Sequence, residues 1–296
     1  MQGESYLTTD EAADYLRLKE RKLYELATGG RIPCSKATGK WLFPRAALDR
    51  WIAAGLARPE GFDATPAPAI VGGSTDPLLE WAIRQSGSGL ASLPEGSAAG
   101  LERLARNEVA MAAVHFHRPA GDDEDANLAA TRDRAGLHDA VVIAFARREQ
   151  GLVVAAGNPL GLTSPADALR RQTRPVLRQE GAGAQLLLAR LLAADGVDIA
   201  ELPKAPRAAT GQDLAMAIRA GTADWGMATR AVAATHGLGF VALAWERFDL
   251  VLRRRSYFEP GPQALFRFLA TPDPARHAGS LGGYDLAEIG KVRLNL

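Results

Sequence analysis

The sequence contains one cysteine, Cys34, among 296 residues. An internal disulfide is therefore excluded, and one thiol cannot build a metal–thiolate cluster. No run of about 18 apolar residues occurs, so no segment is expected to span a membrane. The opening stretch, Met1-Gln2-Gly3-Glu4-Ser5-Tyr6, lacks a basic region followed by an apolar one, and no secretory signal is expected. Neither charge sign is in excess: 35 basic and 34 acidic residues give +1, which hides any local asymmetry. What the chain does have is apolar side chain, 47% hydrophobic against 23% charged, which excludes a disordered or fibrous class. Its length is enough for one large domain or two ordinary ones, each with a core. The expectation is a soluble, cytoplasmic protein.

Composition shifts near residue 59. Arg58 to Pro68 holds three prolines and one glycine with no apolar period, which reads as a semi-rigid linker. The expected organisation is a first unit over 1–58, a linker over 59–69 and a second unit over 70–296. The first unit has ten Lys/Arg against seven Asp/Glu, a local +3, and four of the six lysines fall in it. Its elements follow a recognisable order. Thr8-Thr9-Asp10-Glu11 is an N-cap signal, with Glu11 three residues after Thr8. Ala12, Ala13, Tyr15 and Leu16 form a short apolar face at helical spacing. Lys19 to Ala27 is a second helix, basic at its start, and Gly29-Gly30 ends it. Ser35 to Phe43 reads as a small hairpin with Thr38-Gly39 at its tip. Arg45 to Ile52 is a third helix that turns Leu48, Trp51 and Ile52 inward.

Two short helices, the second basic, followed by a basic hairpin make a winged helix-turn-helix plan. The stretches Leu7 to Leu16, Leu23-Tyr24-Glu25-Leu26, Gly30-Arg31-Ile32-Pro33 and Lys40-Trp41-Leu42-Phe43 resemble the excisionase and MerR-like helix-turn-helix family. The resemblance covers about 50 residues and implies binding to double-stranded operator DNA. Lys19, Arg21, Lys22 and Tyr24 are placed to reach base edges or phosphates, and Lys36, Lys40 and Arg45 to serve the wing and the DNA backbone. Glu20-Arg21-Lys22 departs from the Ser or Thr that the family carries early in this helix, so no base readout transfers. Trp41 and Trp51 read as core. A homodimer is expected, because symmetric operators need two half-site readers and one such unit offers little specific area.

From Ile70 onward short apolar runs alternate with helical stretches, the α/β pattern. Strands are expected at 69–72, 90–93 and 109–115, with helices over 78–83 and 98–107. Each strand leads through small or hydroxylic residues into a helix. Ligands of open α/β sheets lie beyond the carboxyl ends of the strands, where free N–H groups and helix dipoles attract an anion. Ser74, Thr75 and Ser97 stand at such places, and each would otherwise serve as an N-cap.

Residues 70–255 resemble the type II periplasmic-binding-protein domain in the branch related to molybdate-binding proteins. The matching stretches include Gly73-Ser74-Thr75-Asp76, Gly96-Ser97, Ala112-Ala113-Val114-His115, Gln150-Gly151-Leu152-Val153, Arg178 to Ala184, Ala220 to Met227 and Trp245 to Leu250. The resemblance implies two lobes joined by a double crossover, one near 70–147 with the C-terminal segment and one near 148–245. It implies a ligand between them, met by Ser74, Thr75 and Ser97 from one side. From the other come Arg178, Gly183 and Ala184 of the Gly181–Ala184 turn, Gln212 and Thr229. His115 ends a strand near this cleft and otherwise reads as a core histidine. Tetrahedral oxyanions such as molybdate or tungstate are what the family implies. The turn Gly181-Ala182-Gly183-Ala184-Gln185 lacks two hydroxyls and an arginine of the family pattern, which keeps a small carboxylate open as the alternative.

No catalytic constellation stands out, so no enzymatic activity and no cofactor are expected. His115 and His117 share a strand face, but no ligating carboxylate or cysteine accompanies them at metal spacing. Asp122-Asp123-Glu124-Asp125 reads as an exposed acidic loop. Gly181 and Gly183 are not followed by the Gly-Lys-Ser/Thr of a phosphate-binding loop. The sequence therefore points to a one-component transcription regulator that senses a small anion. The rival reading is a cytosolic binding protein for a small anion or a formate-like carboxylate, whose N-terminal unit docks a protein instead of DNA.

Overall fold

A computed structural model describes residues 6–37, 39–54, 66–117 and 124–296. The chain forms two compact units, residues 1–62 and 63–296; most of the expected linker lies outside the described residues. The first unit begins with strand β1 (Tyr6–Leu7) and helices α1 (Thr9–Leu16) and α2 (Glu20–Thr28). Thr8 N–H donates to Glu11 Oε2 at 2.8 Å, the return bond of the capping box. Arg17 adopts a left-handed conformation at the end of α1, and Gly30, at φ 65°, turns the chain after α2. Strand β2 (Phe43–Pro44) and helix α3 (Arg45–Ala54) close the unit.

Its core is Ala12, Ala13, Leu23, Ala27, Ile32, Phe43 and Leu48, with Trp41, Trp51 and Cys34 packed against it. Trp51 Nε1 donates to the Arg31 carbonyl at 2.9 Å, tying α3 to the turn after α2. Two expectations change. Ile52 is 40% exposed rather than inward, because the inward face of the helix is already filled by Leu48 and Trp51. The hairpin reduces to one bridge between Ser35 and Leu42, since Phe43–Pro44 pairs instead with Tyr6–Leu7. Its expected tip residue Thr38 lies outside the described residues.

The second unit opens with β3 (Ile70–Gly73), α4 (Pro77–Gln85), β4 (Ala91–Pro94), α5 (Ser97–Ala105), β5 (Met111–Val114) and α6 (Ala126–Arg132). The long strand β6 (Ala140–Val154) follows. Next come α7 (Pro165–Arg170), β7 (Pro175–Arg178), α8 (Gly183–Ala194), β8 (Arg207–Ala208), α9 (Gly211–Arg219), β9 (Trp225–Thr229) and α10 (Arg230–Thr235). A second long strand, β10 (Gly239–Arg253), precedes α11 (Pro260–Leu269), α12 (Pro272–Leu281), β11 (Tyr284–Asp285) and β12 (Val292–Asn295).

The strand order is β4-β3-β5-β10-β6-β9-β7-β8, with β11 and β12 clipped onto β6. The two long strands run antiparallel to each other along nearly their whole length. The end of β10 pairs with β5 through Asp249–Leu252, while the end of β6 pairs with β9 through Gln150–Val154. Each long strand thus belongs to two lobes, and the crossover lies at residues 147–150 and 244–248. Lobe 1 packs Leu78, Met111, Phe145 and Phe248 on one face of its sheet, and Leu101, Val109, Val142 and Val251 on another. Lobe 2 builds its layers from Leu152, Leu187 and Trp225, and from Val153, Leu214 and Val232. Gly100 brings α5 directly onto β3, for a Cβ there would sit 2.4 Å from the Gly73 Cα. That contact fixes the loop that follows, Ser74-Thr75.

Candidate functional site

Helices α4, α5, α8 and α9 begin around one polar cavity of about 30 Å³ between the lobes. A single water needs about 10–15 Å³ by the same measure, so there is room for a few waters or one compact anion. Lobe 1 supplies Ser74, Thr75, Glu95, Gly96 and His115; lobe 2 supplies Arg178, Ala182, Ala184, Ala209, Gly211 and Thr229; the crossover supplies Arg148 and Gln150. Glu95 is paired with Arg103 at 2.7 Å. Helices α5 and α8 have no side-chain cap, so their first N–H groups give the cavity donors and positive dipole ends.

Six of the nine sequence-predicted ligand residues therefore meet here: Ser74, Thr75, His115, Arg178, Ala184 and Thr229. Three stand elsewhere. Ser97 is fully buried behind the wall, where its Oγ accepts from the His115 backbone N–H at 2.9 Å and lies 2.8 Å from Ser74 Oγ. It holds two cavity groups in place and has no surface for a ligand. Gln212 is off the lining and reaches Glu80 of lobe 1 at 3.5 Å, because its helix is capped by Thr210 and turns that side chain toward α4. Gly183 packs against the His115 ring instead of the cavity; a Cβ there would lie 2.1 Å from Cδ2. The α4 cap is also not a hydroxyl: Asp76 Oδ1 accepts from Leu78 and Leu79 N–H at 2.9 and 3.1 Å.

Arg178 is the principal electrostatic feature. Its Nε donates to the Ala208 carbonyl at 3.3 Å and its Nη2 to Ala209 at 2.9 Å. Among the described residues no carboxylate lies within 4.0 Å of it. Burial, and then the charge of Arg148, push its guanidinium down to about 10, so it stays charged at neutral pH. Its hydrogen-bond partners are neutral carbonyls and the Asp213 carboxylate acts on it only beyond ion-pair distance, so this half-buried cation can attract an anion.

Arg148, missed in the sequence, is a second guanidinium on the wall, but it is already compensated. Its Nη1 meets Asp76 Oδ2 at 2.9 Å and its Nε meets Glu246 Oε1 at 2.6 Å, while its face covers the Phe248 ring at 3.9 Å. Tyr284 donates to Asp76, and His117 lies 2.9 Å from Glu246 Oε2. Burial alone would raise the Glu246 carboxyl; the basic groups around it, His115, Arg148 and His117, outweigh burial and hold it well below the carboxylate range. The visible signal for this cluster was Arg147-Arg148-Glu149-Gln150 inside a long apolar strand, opposite Glu246 in another.

Burial pushes His115 down to about 3, and its Nε2 is buried without a hydrogen-bond partner. The ring is neutral above that value. An unfolded histidine takes a proton near 6.5, so acid favours the unfolded chain. The contribution is nil above about 6.5 and costs about 1.4 kcal/mol per pH unit below it. Urea titrations should show stability falling between about pH 6.5 and 5, above the range of ordinary carboxylates, with the slope reduced in His115→Asn. Equal slopes would contradict a neutral buried ring. Among the described residues no three His, Cys, Asp or Glu side chains are grouped to hold a metal ion.

In the first unit Lys19 precedes α2 as its cap, and Arg21, Lys22 and Tyr24 are exposed along it. Arg21 and Lys22 both approach Glu25, at 3.7 and 3.3 Å. Lys36 covers the Trp41 ring at 5.2 Å, Tyr24 meets that ring edge-on, and Lys40 is exposed. Arg45 lies over the Tyr15 ring at 5.1 Å. Of the acidic run, Asp122 and Asp123 lie outside the described residues, while Glu124 pairs with Arg247.

A two-lobed α/β unit with crossing strands and a polar cavity between the lobes has the periplasmic-binding-protein architecture. Residues 79–270 match the PBP superfamily domain, and the chain belongs to that superfamily. Residues 6–55 match a helix-turn-helix domain. The uncharacterized protein YvgK of Bacillus subtilis (strain 168) is 29% identical over 148 residues, 50% of this chain and 47% of that protein. The chain thus spans about half the length of the curated relative it matches. Among solved structures, a putative phosphate ABC transporter substrate-binding protein from Clostridium perfringens with bound phosphate aligns at TM-score 0.52 and 11% identity, over 76% of this chain and 99% of that one. PhnD1 from Prochlorococcus marinus, in complex with methylphosphonate, aligns at 0.50 and 13%, over 76% and 94%. A hydrogen-peroxide-bound mutant of OxyR from Corynebacterium glutamicum aligns at 0.52 and 14%, over 93% and 89%.

Proposed function

We propose that this protein is a cytoplasmic transcription regulator that binds operator DNA as a homodimer and senses a compact oxyanion between its lobes. The observation that carries the sensing half is Arg178, a half-buried cation with no carboxylate within 4.0 Å among the described residues, set among helix N-termini. The cavity volume favours a small tetrahedral ion over a drug-sized ligand, which needs about 300–1,000 Å³. Molybdate and tungstate, implied by the sequence resemblance, belong to that class. Phosphate and methylphosphonate, bound by two proteins of similar fold, belong to it too. Ser74, the serine on the lining, meets the hydroxyl of Ser97 at 2.8 Å rather than a base, which supports binding rather than turnover.

Closure of the lobes on the ion shifts the population of a DNA-binding state. A gel-shift assay with the upstream region of the chain's own gene, with and without the oxyanion, tests both halves and gives the stoichiometry. The double substitution Arg21→Glu, Lys22→Glu should abolish binding to that duplex while the chain stays folded, and unaltered binding should weaken steeply with salt. Unchanged binding by the double variant would remove α2 from the DNA. One observation supports the rival role in docking a protein: Glu25 draws on the charge of both Arg21 and Lys22. Failure of the unaltered chain to shift any upstream duplex would favour it.

A further inference from the structure

The two lobes repeat one strand order but finish their outer edges differently. Lobe 1 runs β4-β3-β5, three parallel strands, then the end of β10 and the first half of β6. Lobe 2 runs β8-β7-β9, again parallel, then the end of β6 and the first half of β10. In lobe 1 the outermost strand is covered, because β12 pairs with Val141–Ile143 of β6 and β11 with Arg147–Arg148. Its counterpart in lobe 2 is Gly239–Trp245 of β10. Among the described residues this stretch pairs with β6 on one side and with no strand on the other. No further hydrogen bond engages its backbone among those residues.

The open edge is held ready for a strand. Val241 and Leu243 pack against one core layer of lobe 2 and Phe240 against the other, so pairing there costs little new ordering. A bulge follows Ala242 in the ladder to β6, which leaves Gly239–Ala242 as the regular run. Gly-Phe-Val-Ala-Leu-Ala-Trp holds no charge and no proline, residues that commonly keep a further strand off an exposed edge. Ala242 is exposed, and so is Trp245, by 46%.

Resting on the homodimer reading above, we propose that this edge pairs antiparallel with the same edge of a second copy, continuing the lobe 2 sheet from one protomer into the next. A two-fold axis sets each run against itself, and an uncharged run meets no repulsion from its twin. Antiparallel pairing brings the Trp245 end of each copy to the Gly239 end of the other, large against small. A seven-residue edge is small beside the roughly 800 Å² per partner of a stable complex, so association depends on concentration.

Sedimentation velocity of the full chain over a concentration series, alone and with the upstream duplex, tests the proposal together with amide hydrogen exchange. The unaltered chain should pass from one chain mass to two. Across that range, exchange of the amides in 239–245 that do not face β6 should slow about tenfold or more. Ala242→Lys puts a charge on each copy of the edge and should raise the dimer dissociation constant at least about tenfold. A dimer whose exchange over 239–245 ignores concentration, or a folded Ala242→Lys that dimerises as before, would overturn the edge assignment and leave the homodimer reading standing. Slow exchange already in the monomer would overturn it too, by showing that another segment of the same chain covers the edge. A chain that stays monomeric both free and on the duplex would remove the homodimer reading itself, and this pairing with it. If Ala242→Lys does not fold, exchange on the unaltered chain decides alone.

Discussion

Arg178→Ala should bind the responsive oxyanion about 10- to 100-fold more weakly than the unaltered chain in calorimetry. The magnitude follows from losing a charge-assisted contact, worth about 1.5–3 kcal/mol. Ser74→Ala removes only a neutral hydroxyl, worth about 0.5–1.5 kcal/mol, and should cost correspondingly less. The guanidinium also holds the Ala208 and Ala209 carbonyls at the start of α9, so the unfolding midpoint must be measured alongside. Arg178→Lys keeps the charge but loses the planar fork, and should fall between the two. Unchanged affinity in folded Arg178→Ala would reduce the residue to a brace for that loop.

Gly183→Ala should cost binding by a different route. The added Cβ would lie 2.1 and 2.2 Å from the His115 ring atoms Cδ2 and Nε2, and 2.7 Å from the His115 carbonyl oxygen. Gly183 is outside the left-handed region, so alanine suits its backbone and helix α8. The clash exists only while the two lobes are together, and parting them relieves it at little cost to either core. Overpacking of this kind costs about 1–3 kcal/mol, which as a penalty on the closed form lowers oxyanion affinity about 5- to 150-fold. Unfolding in urea should be almost unaffected. Native affinity in this variant would mean that the ion is held without the lobes meeting at His115.

What the sequence made legible was local. Thr8 with Glu11, Gly29-Gly30 and the alternation of strand, small residue and helix all act within a few residues of where they stand. Helices α1 and α2 and the α/β order are therefore readable from neighbouring residues. The cavity required pairings across the chain. Arg148 reaches Asp76 and Glu246, 72 and 98 residues away, and Tyr284 reaches Asp76 across 208. No spacing rule reports such contacts. Ser97 and Gln212 stand off the lining for a related reason: a helix start in the right place does not say which way its side chain turns. Gly183 was noted for the turn it shares, yet its importance lies in a ring 68 residues earlier in the chain.

The crossing of β6 and β10 also governs the order in which the protein can assemble. Lobe 2 is built from one continuous stretch and can close its sheet once β9 and the start of β10 have left the ribosome. Lobe 1 begins far earlier, yet the end of β10 must lie between β5 and β6 before its sheet is complete. Until Asp249–Leu252 arrive, β5 offers an open edge to any strand that comes near. The lobe synthesised first is thus finished last. The aggregation hazard of the nascent chain is concentrated in its first α/β lobe, and mutations in β10 that slow pairing would show themselves as poor yield before they altered any binding property.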